Sequence, residues 1–332
     1  MRILLIGESL DGPAARYRLQ PLAASLRRMG GDVVLAEARS GRSSRRQMKR
    51  LARTADLVVL QRRLWGLLDI PLLRRACRSL VYDVDDAVCY ADGSQENFLS
   101  LARLLKFRAI CRRADLVVAG NDYIAGLASR HGASRVLVVP TCLAEVPPLA
   151  GRPERSVSRP VMVWIGGAST RRYLEAFAPV LRELAPAGGG VTLRVVADQP
   201  VSLPGVETEF VKWSLASERT ALSSVSMGIA PLPDDPWTRG KCGLKLLQYG
   251  GAGLPSVASP VGVHREIVVH GETGFLATSA GEWREAVGSL LADPERGSEM
   301  GERAHARVMA LYTWPVWEAA WLEAIEDLVE EG

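Results

Sequence analysis

Short apolar runs that alternate with helical patterns are the feature that most restricts the fold of this 332-residue chain. Such runs, rich in Val, Leu and Ile, are typical of parallel strands that are buried on both faces of a sheet. The alternation predicts two doubly wound α/β domains that face each other across a cleft. The runs are ILLIG, DVVLAEA, DLVVL, LVYDVDD, DLVVAG and RVLVVP, and after a break VMVWIG, VTLRVVA, VETEFV, MGIAPL, PSVAS and TGFLA.

A proline-rich stretch separates the two halves and predicts a linker over residues 146–160. The N-terminal domain is then 1–145 and the C-terminal domain 161–312. The last segment, 313–332, carries Trp314, Trp317 and Trp321 at helical spacing, which predicts a final helix with one apolar face. We expect this helix to cross back to the first domain, where the three indoles either pack in a core or clamp the two domains together.

The net charge of +4 is unevenly distributed, because arginines crowd the first sixth of the chain. The segment SSRRQMKRLAR predicts a basic, weakly amphipathic helix. Such a helix either attracts an anionic surface, such as acidic lipid or a lipid diphosphate, or is simply a solvated face. Nucleic acid is a poorer partner, because few aromatic residues interleave with the arginines and no nucleic-acid motif is present.

The sequence favours a cytoplasmic protein, either free or peripheral on the inner membrane face. No apolar run reaches the roughly 18–20 residues that a membrane span needs, and the opening MRILLIG leads straight into a strand instead of an export signal. Five cysteines, an odd number without a C-x-x-C pair, indicate a reducing compartment.

The stretch from Gly240 to Phe275 predicts a phosphate site. Gly240 and Gly243 open an apolar helix, and Lys241 and Lys245 flank its start. A glycine-opened helix start beside a strand edge presents backbone N–H groups to an anion. The chemistry indicated is the binding of a diphosphate.

These residues resemble those of the GT-B glycosyltransferases, in particular the large retaining, nucleotide-sugar-using group often called family 4. The match includes Gly253 and Pro255, the SPVG turn (259–262) and the closing HGETGF; the N-terminal half resembles a subgroup with DGPAARYR, DVDDA and GNDY. The resemblance covers nearly the whole chain. It implies the GT-B fold and transfer of a sugar from a UDP- or GDP-type donor to a hydroxyl of a glycan, lipid-linked or small-molecule acceptor. The expected setting is glycan, polysaccharide or glycoconjugate synthesis, without a cofactor or a metal.

The donor motif of this family departs from its usual form here. The family carries two glutamates, the first bonding the donor sugar and the second the ribose. Lys241 and Gln248 stand in their places, while Gly243 fits. Gln248 can still bond a ribose hydroxyl. Lys241 suits an anionic oxygen, which leaves an acidic or unusual donor sugar open.

Other donor contacts are carried over by position. The resemblance assigns the diphosphate to Gly166, Gly167, Thr170 and either Arg171 or Arg172, because arginines and helix-start amides stabilise a leaving diphosphate. Trp213 stacks on the nucleobase or packs in a core. The donor block adds Cys242, Gly243, Leu244, Lys245 and Gln248.

In the N-terminal domain the acceptor-side candidates are Gly7, Gly12, Arg16, Arg18 and Asn121. Asp85 stands near the place where many relatives carry a histidine. Asp85 or Asp86 orients the acceptor hydroxyl or accepts its proton. Two alternatives stay open, namely a D-x-D metal site and an aspartate that caps the following turn.

The family implies front-face transfer with retention, which requires no protein nucleophile. Two other functions compete with it. A GT-B epimerase needs carboxylates and a histidine in the cleft, and the histidines are His131, His264, His270 and His305. A degenerate GT-B protein that binds a nucleotide sugar without catalysis would explain the missing glutamates.

Overall fold

The structure is a computed structural model that describes residues 1–38, 41–91, 99–146, 149, 160–184 and 190–330. The predicted linker lies almost entirely outside these residues. The chain divides into two compact units. Unit 1 comprises Met1–Ala144, Asp235–Cys242 and Thr313–Gly332, and unit 2 comprises Glu145–Asp234 and Gly243–Tyr312. The predicted second domain includes Asp235–Cys242, but Gly240 packs on Ala87 and the segment belongs to unit 1.

Each unit contains a six-stranded parallel sheet. In unit 1 the strand order is β2-β1-β3-β4-β5-β6, and in unit 2 it is β12-β11-β10-β7-β8-β9. All twelve predicted runs form strands, which confirms two doubly wound α/β sheets. The strands are β1 (Arg2–Gly7), β2 (Asp32–Glu37), β3 (Leu57–Gln61), β4 (Ser79–Val84), β5 (Leu116–Ala119), β6 (Val136–Val138), β7 (Val161–Ile165), β8 (Thr192–Ala197), β9 (Thr208–Lys212), β10 (Met227–Ala230), β11 (Ser256–Ala258) and β12 (Gly274–Leu276).

Helices connect the strands, as right-handed crossovers between parallel strands require. They are α1 (Gln20–Arg28), α2 (Arg42–Ala52), α3 (Asp69–Arg74), α4 (Leu101–Cys111), α5 (Asp122–Arg130), α6 (Ala168–Ala176), α7 (Ala178–Leu184), α8 (Leu215–Thr220), α9 (Leu244–Gly251), α10 (His264–Ile267), α11 (Ala280–Ala292), α12 (Pro294–Leu311) and α13 (Trp314–Glu330). A π-helical turn, Ala15–Leu19, leads into α1, and a 3₁₀ turn, Thr238–Gly240, precedes α9. The predicted basic helix corresponds to α2.

Both faces of the unit 1 sheet are covered. One face packs on side chains of α2 to α5, including Met48, Ile70 and Phe107. On the other face lie α1 and the final helix α13, with Trp314 and Trp321 buried among the side chains of β1 and β3. The indole Nε1 of Trp314 donates to Ser25 Oγ at 2.9 Å. The tryptophan stripe is therefore core packing within unit 1.

One core cluster of unit 2 contains Trp164, Leu181, Trp283 and Met300. Helix α11 begins with a capping box, in which Ser279 and Glu282 each accept from the other's backbone N–H. That cap fixes the helix that carries Trp283 into this core.

Candidate active site

In each sheet, successive strands are added first toward one edge and then toward the other, and the two neighbouring strands where this change occurs define the switch point. In unit 1 this point lies between β1 and β3, and in unit 2 between β7 and β10. Ligands of doubly wound sheets bind outside the carboxyl ends of the strands at such points. The residues that follow these four strands are therefore the candidates for binding and catalysis.

Tyr249 on α9 marks the switch point of unit 2. Strands β7 and β10 pair through Met162 with Met227 and Val163 with Gly228. Just beyond, the Tyr249 hydroxyl accepts from the Ile165 N–H at 2.9 Å and donates to the Ile229 carbonyl at 3.3 Å. No local sequence pattern predicts this role of Tyr249, which holds α9 against the carboxyl edge of the sheet.

The connection from β7 to α6 requires glycine at one of its two positions. A Cβ added at Gly166 would lie 2.3 Å from Cη2 of Trp164 and 2.6 Å from Oγ1 of Thr170, whereas one added at Gly167 would meet no described atom within 4 Å. Gly167 precedes the first residue of α6 and Thr170 donates its hydroxyl to the Gly167 carbonyl. The first N–H groups of a helix lack intrahelical partners, so this start suits an anion.

The two predicted diphosphate arginines differ in their surroundings. Arg171 is about one-third exposed and lies 3.6 Å from Glu175, one turn further along α6. Arg172 donates to the Tyr173 hydroxyl at 2.9 Å and its guanidinium carbon lies 4.7 Å from the centroid of that ring. Arg172 is thus held against the body of unit 2, and a diphosphate role for either arginine stays a prediction.

A second helix start, that of α9, lies near the first. Gly243 has a φ of +67° and a Cβ there would lie 2.4 Å from Cδ1 of Ile267, so the position needs glycine. Leu244 begins the helix, and the ammonium of Lys245 lies 4.6 Å from the centroid of the Trp164 ring. Because Trp164 also contacts Gly166, the structure brings Lys245 and the start of α6 to the same strand end.

A buried carboxylate that the sequence analysis missed joins two predicted donor residues. Glu218 on α8 accepts from Nε2 of Gln248 at 2.8 Å and from Nε1 of Trp213 at 3.0 Å. Its exposed fraction is 8%. A glutamate in a six-residue polar helix gave no sign of this contact, because α8 and α9 are distant in sequence.

In unit 1, the structure gives Arg18 a different role from the predicted one. It is buried and pairs with both carboxylate oxygens of Asp83, with Nη2 at 2.6 Å from Oδ1, while Nη1 donates to the Val139 carbonyl. Burial opposes the charge of the guanidinium, but the ion pair with Asp83 outweighs burial and raises the Arg18 pKa. Arg18 stabilises the fold and does not face an acceptor. Its bidentate pair also leaves Asp83 unsuited to the D-x-D metal alternative.

Three other acceptor-side candidates lie at or beyond the end of β1. A Cβ at Gly7 would approach Leu19 Cδ1 to 3.3 Å, and one at Gly12 would lie 3.4 Å from the Ser9 carbonyl oxygen. Neither glycine has a positive φ, so packing alone gives each position only a mild preference for glycine. Arg16 is half-buried, with its guanidinium carbon 5.1 Å from the Tyr17 ring centroid. Their contact with a ligand stays a prediction.

Arg62, directly after β3, is a residue that the sequence analysis missed. Its φ of +57° is unusual for a residue other than glycine, and strain of this kind costs on the order of 1–3 kcal/mol. Its guanidinium pairs with Asp86 and lies 3.9 Å from Oδ1 of Asp85. The structure thus places a strained arginine at the switch point of unit 1, on the two predicted catalytic aspartates.

Lys241 contacts a carboxylate of its own unit instead of presenting a free ammonium. Its Nζ lies 2.9 Å from Oδ1 of Asp86 and 4.4 Å from the centroid of the Trp237 ring. Burial disfavours the charge of Asp86, but Lys241 and Arg62 outweigh burial and lower its pKa. The predicted contact of Lys241 with a phosphate therefore competes with an existing ion pair.

Asp85 differs from its neighbour. Burial raises the pKa of Asp85, and the nearby Arg62 only partly opposes this effect. Its Oδ1 is buried and accepts no hydrogen bond within the described part of the chain. Asp85 is therefore the carboxylate of the pair that is suited to accept a proton or to bond an incoming hydroxyl.

Asn121 and Cys242 are structural in this arrangement. Asn121 caps α5 by accepting from the Ile124 N–H, and its amide lies 3.3 Å from the carbonyl oxygens of both Gly240 and Lys241. The Cys242 thiol donates to the Asp85 carbonyl, and burial raises its pKa to about 12. The two side chains hold the segment with Lys241 in place, so the prediction of direct ligand contact is not supported for either of them.

Comparison with solved structures identifies the fold. Sucrose-phosphate synthase from Thermosynechococcus elongatus matches with a TM-score of 0.77 at 16% identity, over 100% of both chains. Anabaena HepE in complex with UDP and glucose matches with a TM-score of 0.75 at 16% identity, over 98% of this chain and 100% of HepE. The pneumococcal O-GlcNAc transferase GtfA, in complex with UDP and GlcNAc, matches with a TM-score of 0.62 at 13% identity, over 86% and 59% of the respective chains. The fold is that of the GT-B glycosyltransferases.

A family comparison finds a match within unit 2. Residues 159–293 match the family described as glycosyl transferases group 1. The match covers less than half of the chain, which is therefore similar to this family over the matched residues. No curated protein sequence matches the chain significantly. The match spans the start of α6, the Glu218 carboxylate and the start of α9, so the geometry described for unit 2 lies inside the matched residues.

Two further observations bear on this GT-B chain. Among the residues that the structure describes, no group of three or more His, Cys, Asp or Glu side chains is arranged to hold a metal ion. The described helices include none with both the length and the hydropathy of a membrane span. In unit 2 His264 is buried, with Nδ1 at 3.0 Å from the Ser259 carbonyl oxygen, and burial lowers its pKa to about 4. A neutral histidine bonded to backbone does not support the proton transfer that an epimerase needs.

Proposed function

We propose that this protein transfers a hexosyl group from a nucleoside-diphosphate sugar to an acceptor hydroxyl, with unit 2 binding the donor and unit 1 the acceptor. The observation that carries the proposal is the meeting of two helix starts, of α6 and α9, at the switch point of unit 2. Trp164 contacts both Gly166 and Lys245 there. Two helix starts and a lysine suit the two phosphates of a nucleoside diphosphate.

The same groups supply the chemistry. Sugar transfer leaves negative charge on the diphosphate, and helix-start N–H groups with Lys245 stabilise that charge without a metal ion. Arg171 is a further cation on α6. The complexes of HepE and GtfA with UDP support a donor of the UDP type, with a GDP type as the alternative.

In unit 1 we assign Asp85 to the acceptor. Its raised pKa and its buried Oδ1 favour hydrogen bonding to an acceptor hydroxyl as that hydroxyl loses its proton. Arg62 and Lys241 neutralise Asp86, which leaves Asp85 as the proton acceptor of the pair. Transfer then proceeds on the front face, with retention, as the resemblance implies.

The acceptor that we propose is a glycan or lipid-linked molecule at the cytoplasmic face of a membrane. Exposed leucines Leu67, Leu68 and Leu72 adjoin the basic helix α2, since Lys49 pairs with Asp69 at 2.7 Å. Apolar side chains beside arginines favour an anionic bilayer surface. Co-sedimentation with phosphatidylglycerol vesicles tests this contact, and binding that is unchanged by Leu68→Ser and by 0.5 M salt would argue against it.

The test of the proposed function has three stages. Thermal-shift measurements with UDP, GDP, dTDP and their sugars identify the donor. Hydrolysis or transfer of that donor is then compared between wild type, Lys245→Ala and the control Lys212→Ala. Proton NMR of the anomeric centre determines the stereochemistry, and an inverted linkage would contradict retention. Binding without turnover, in the presence of candidate acceptors, would favour the degenerate GT-B protein instead.

A further inference from the structure

The Glu218 carboxylate is held by two neutral donors. Gln248 Nε2 bonds one oxygen at 2.8 Å, and Trp213 Nε1 bonds the other at 3.0 Å. These bonds orient the carboxylate, and neither donor neutralises it. An ionised carboxylate has about four acceptor positions, and Gln248 and Trp213 each donate to one of its oxygens.

This contact explains the residue type at position 248. A glutamate there would place a second carboxylate at hydrogen-bond distance from Glu218, and two like charges in a buried site cannot both stay ionised. Glutamine avoids the repulsion and donates instead. In this chain the carboxylate of the site is therefore on α8, and its partner on α9 is an amide.

The position of Glu218 indicates what it binds. The backbone N–H of Trp213 donates to the Ala197 carbonyl, at the carboxyl end of β8. Glu218 thus lies at the carboxyl edge of the sheet, on the β8 and β9 side of the switch point. When a diphosphate lies at the switch point of a doubly wound sheet, its nucleoside extends along this edge, and an acidic side chain accepts from the ribose hydroxyls.

We propose that Glu218, oriented by Gln248 and Trp213, accepts hydrogen bonds from the ribose hydroxyls of the donor nucleotide. The inference rests on the proposed function, because it assumes a nucleoside diphosphate at the start of α6. It extends that function by assigning ribonucleotide specificity to a residue outside the glycine and lysine block.

The experiment measures how strongly the protein discriminates between a ribonucleotide and its deoxy analogues, and not the affinity for one nucleotide alone. Dissociation constants of UDP, 2′-deoxy-UDP and 3′-deoxy-UDP are measured by calorimetry for wild type and for Glu218→Gln, with the guanosine series as a second set. Wild type is expected to bind the ribonucleotide about 10- to 100-fold more tightly than one of its deoxy analogues. In Glu218→Gln this ratio is expected to fall to about 1.

A reciprocal variant separates ribose binding from a structural role. The double variant Glu218→Gln with Gln248→Glu returns a carboxylate to α9 with an amide opposite it, and is expected to regain most of the discrimination. Glu209→Gln, at an exposed position on β9, is the matched control and is expected to keep the wild-type ratio. Melting temperatures establish that each variant is folded.

The outcomes separate the two proposals. Binding of UDP or GDP with a ratio that Glu218→Gln leaves unchanged overturns the role of Glu218 and leaves the proposed function intact. If wild type itself binds UDP and its deoxy analogues equally well, the role of Glu218 is likewise overturned and the proposed function is left intact. Failure of wild type to bind either nucleoside diphosphate overturns both proposals.

Discussion

Lys241 forms an ion pair with Asp86, a residue 155 positions earlier in the chain, with Nζ at 2.9 Å from Oδ1. Arg62 pairs with the other oxygen of the same carboxylate. One buried aspartate therefore balances two cations, one from the end of β3 and one from the segment that precedes α9. This cluster determines which of the two adjacent aspartates in unit 1 stays available for chemistry.

Replacing Lys241 by glutamate, the residue usual in the glycosyltransferases that this chain resembles, is expected to destabilise the protein. Lys241→Glu places a carboxylate beside Asp86 and should lower the free energy of unfolding by about 2–4 kcal/mol, whereas Lys241→Met, which removes only the attraction, should lower it less. Urea denaturation measures both. The double variant Lys241→Glu with Asp86→Asn is expected to recover part of the loss; if Lys241→Glu is as stable as wild type, the ion pair does not stabilise the fold.

The two adjacent aspartates are expected to respond to amide substitution in opposite directions. The folded-state pKa of Asp85 is raised, so its ionised form weakens the fold as pH rises, and Asp85→Asn should raise the melting temperature at pH 7 while reducing sugar transfer. The pKa of Asp86 is lowered, so its charge stabilises the fold above pH 4 and Asp86→Asn should lower the melting temperature. Equal shifts in the two variants would contradict this assignment.

Arg18 is expected to affect stability far more than its neighbour Arg16. Arg18→Met leaves the buried Asp83 without its bidentate partner and should lower the free energy of unfolding by about 3–5 kcal/mol. Arg18→Lys should lower the free energy of unfolding less than Arg18→Met does, because lysine keeps the charge but cannot reproduce the two parallel bonds of the guanidinium. Arg16→Met, at a half-buried position, is the control in the same denaturation series, and a comparable loss in that variant would refute the contrast.

Gly166 and Gly167 are expected to tolerate alanine very differently. At Gly166 a Cβ would overlap Trp164 and displace it, which should lower the free energy of unfolding by about 1–3 kcal/mol and weaken nucleotide binding. At Gly167 the same change meets open space and should alter the melting temperature by no more than a degree or two. Thermal shift with and without UDP measures both effects, and two equally tolerated alanines would show that Trp164 repacks.

The buried His264 predicts a loss of stability at acidic pH. Its pKa lies near 4 in the folded chain and near 6.5 in an unfolded one, so the unfolded state binds the proton first. Stability is therefore present above about pH 6.5 and is lost as pH falls toward about 4, by up to about 3 kcal/mol at roughly 1.4 kcal/mol for each pKa unit. Denaturation of wild type and His264→Gln between pH 4 and 7.5 tests this, and parallel curves would exclude His264 as the source.

The sequence was sufficient to predict the fold, because each buried strand appears as a local apolar run. The helix starts beside Gly166 and Gly243 were also predictable, since helix starts after strands are local features, whereas ligand contacts there stay predictions. The sequence could not predict the cluster around Asp86 or the Glu218 bridge. Arg62 and Glu218 lie in ordinary polar segments, and only tertiary contacts distinguish Arg62 from the many other arginines.

The same limit explains the residues whose roles changed. Arg18 follows a glycine-rich turn at a strand end, which is typical of a ligand-binding arginine, yet it pairs with Asp83 inside unit 1. Lys241 stands in a phosphate-like motif, yet an aspartate from β4's end contacts it. Charge and position in the sequence cannot show whether an internal partner already balances a cation.

The contact of Lys245 with the Trp164 ring gives this protein a built-in optical reporter. An ammonium 4.6 Å from a fully buried indole perturbs the excited state of that indole. An anion that draws the ammonium away changes the emission of Trp164, and a Trp164→Phe variant isolates its signal from the other seven tryptophans of the chain. Occupancy of the proposed phosphate position is then expected to be measurable in real time, without a label and before any acceptor is known.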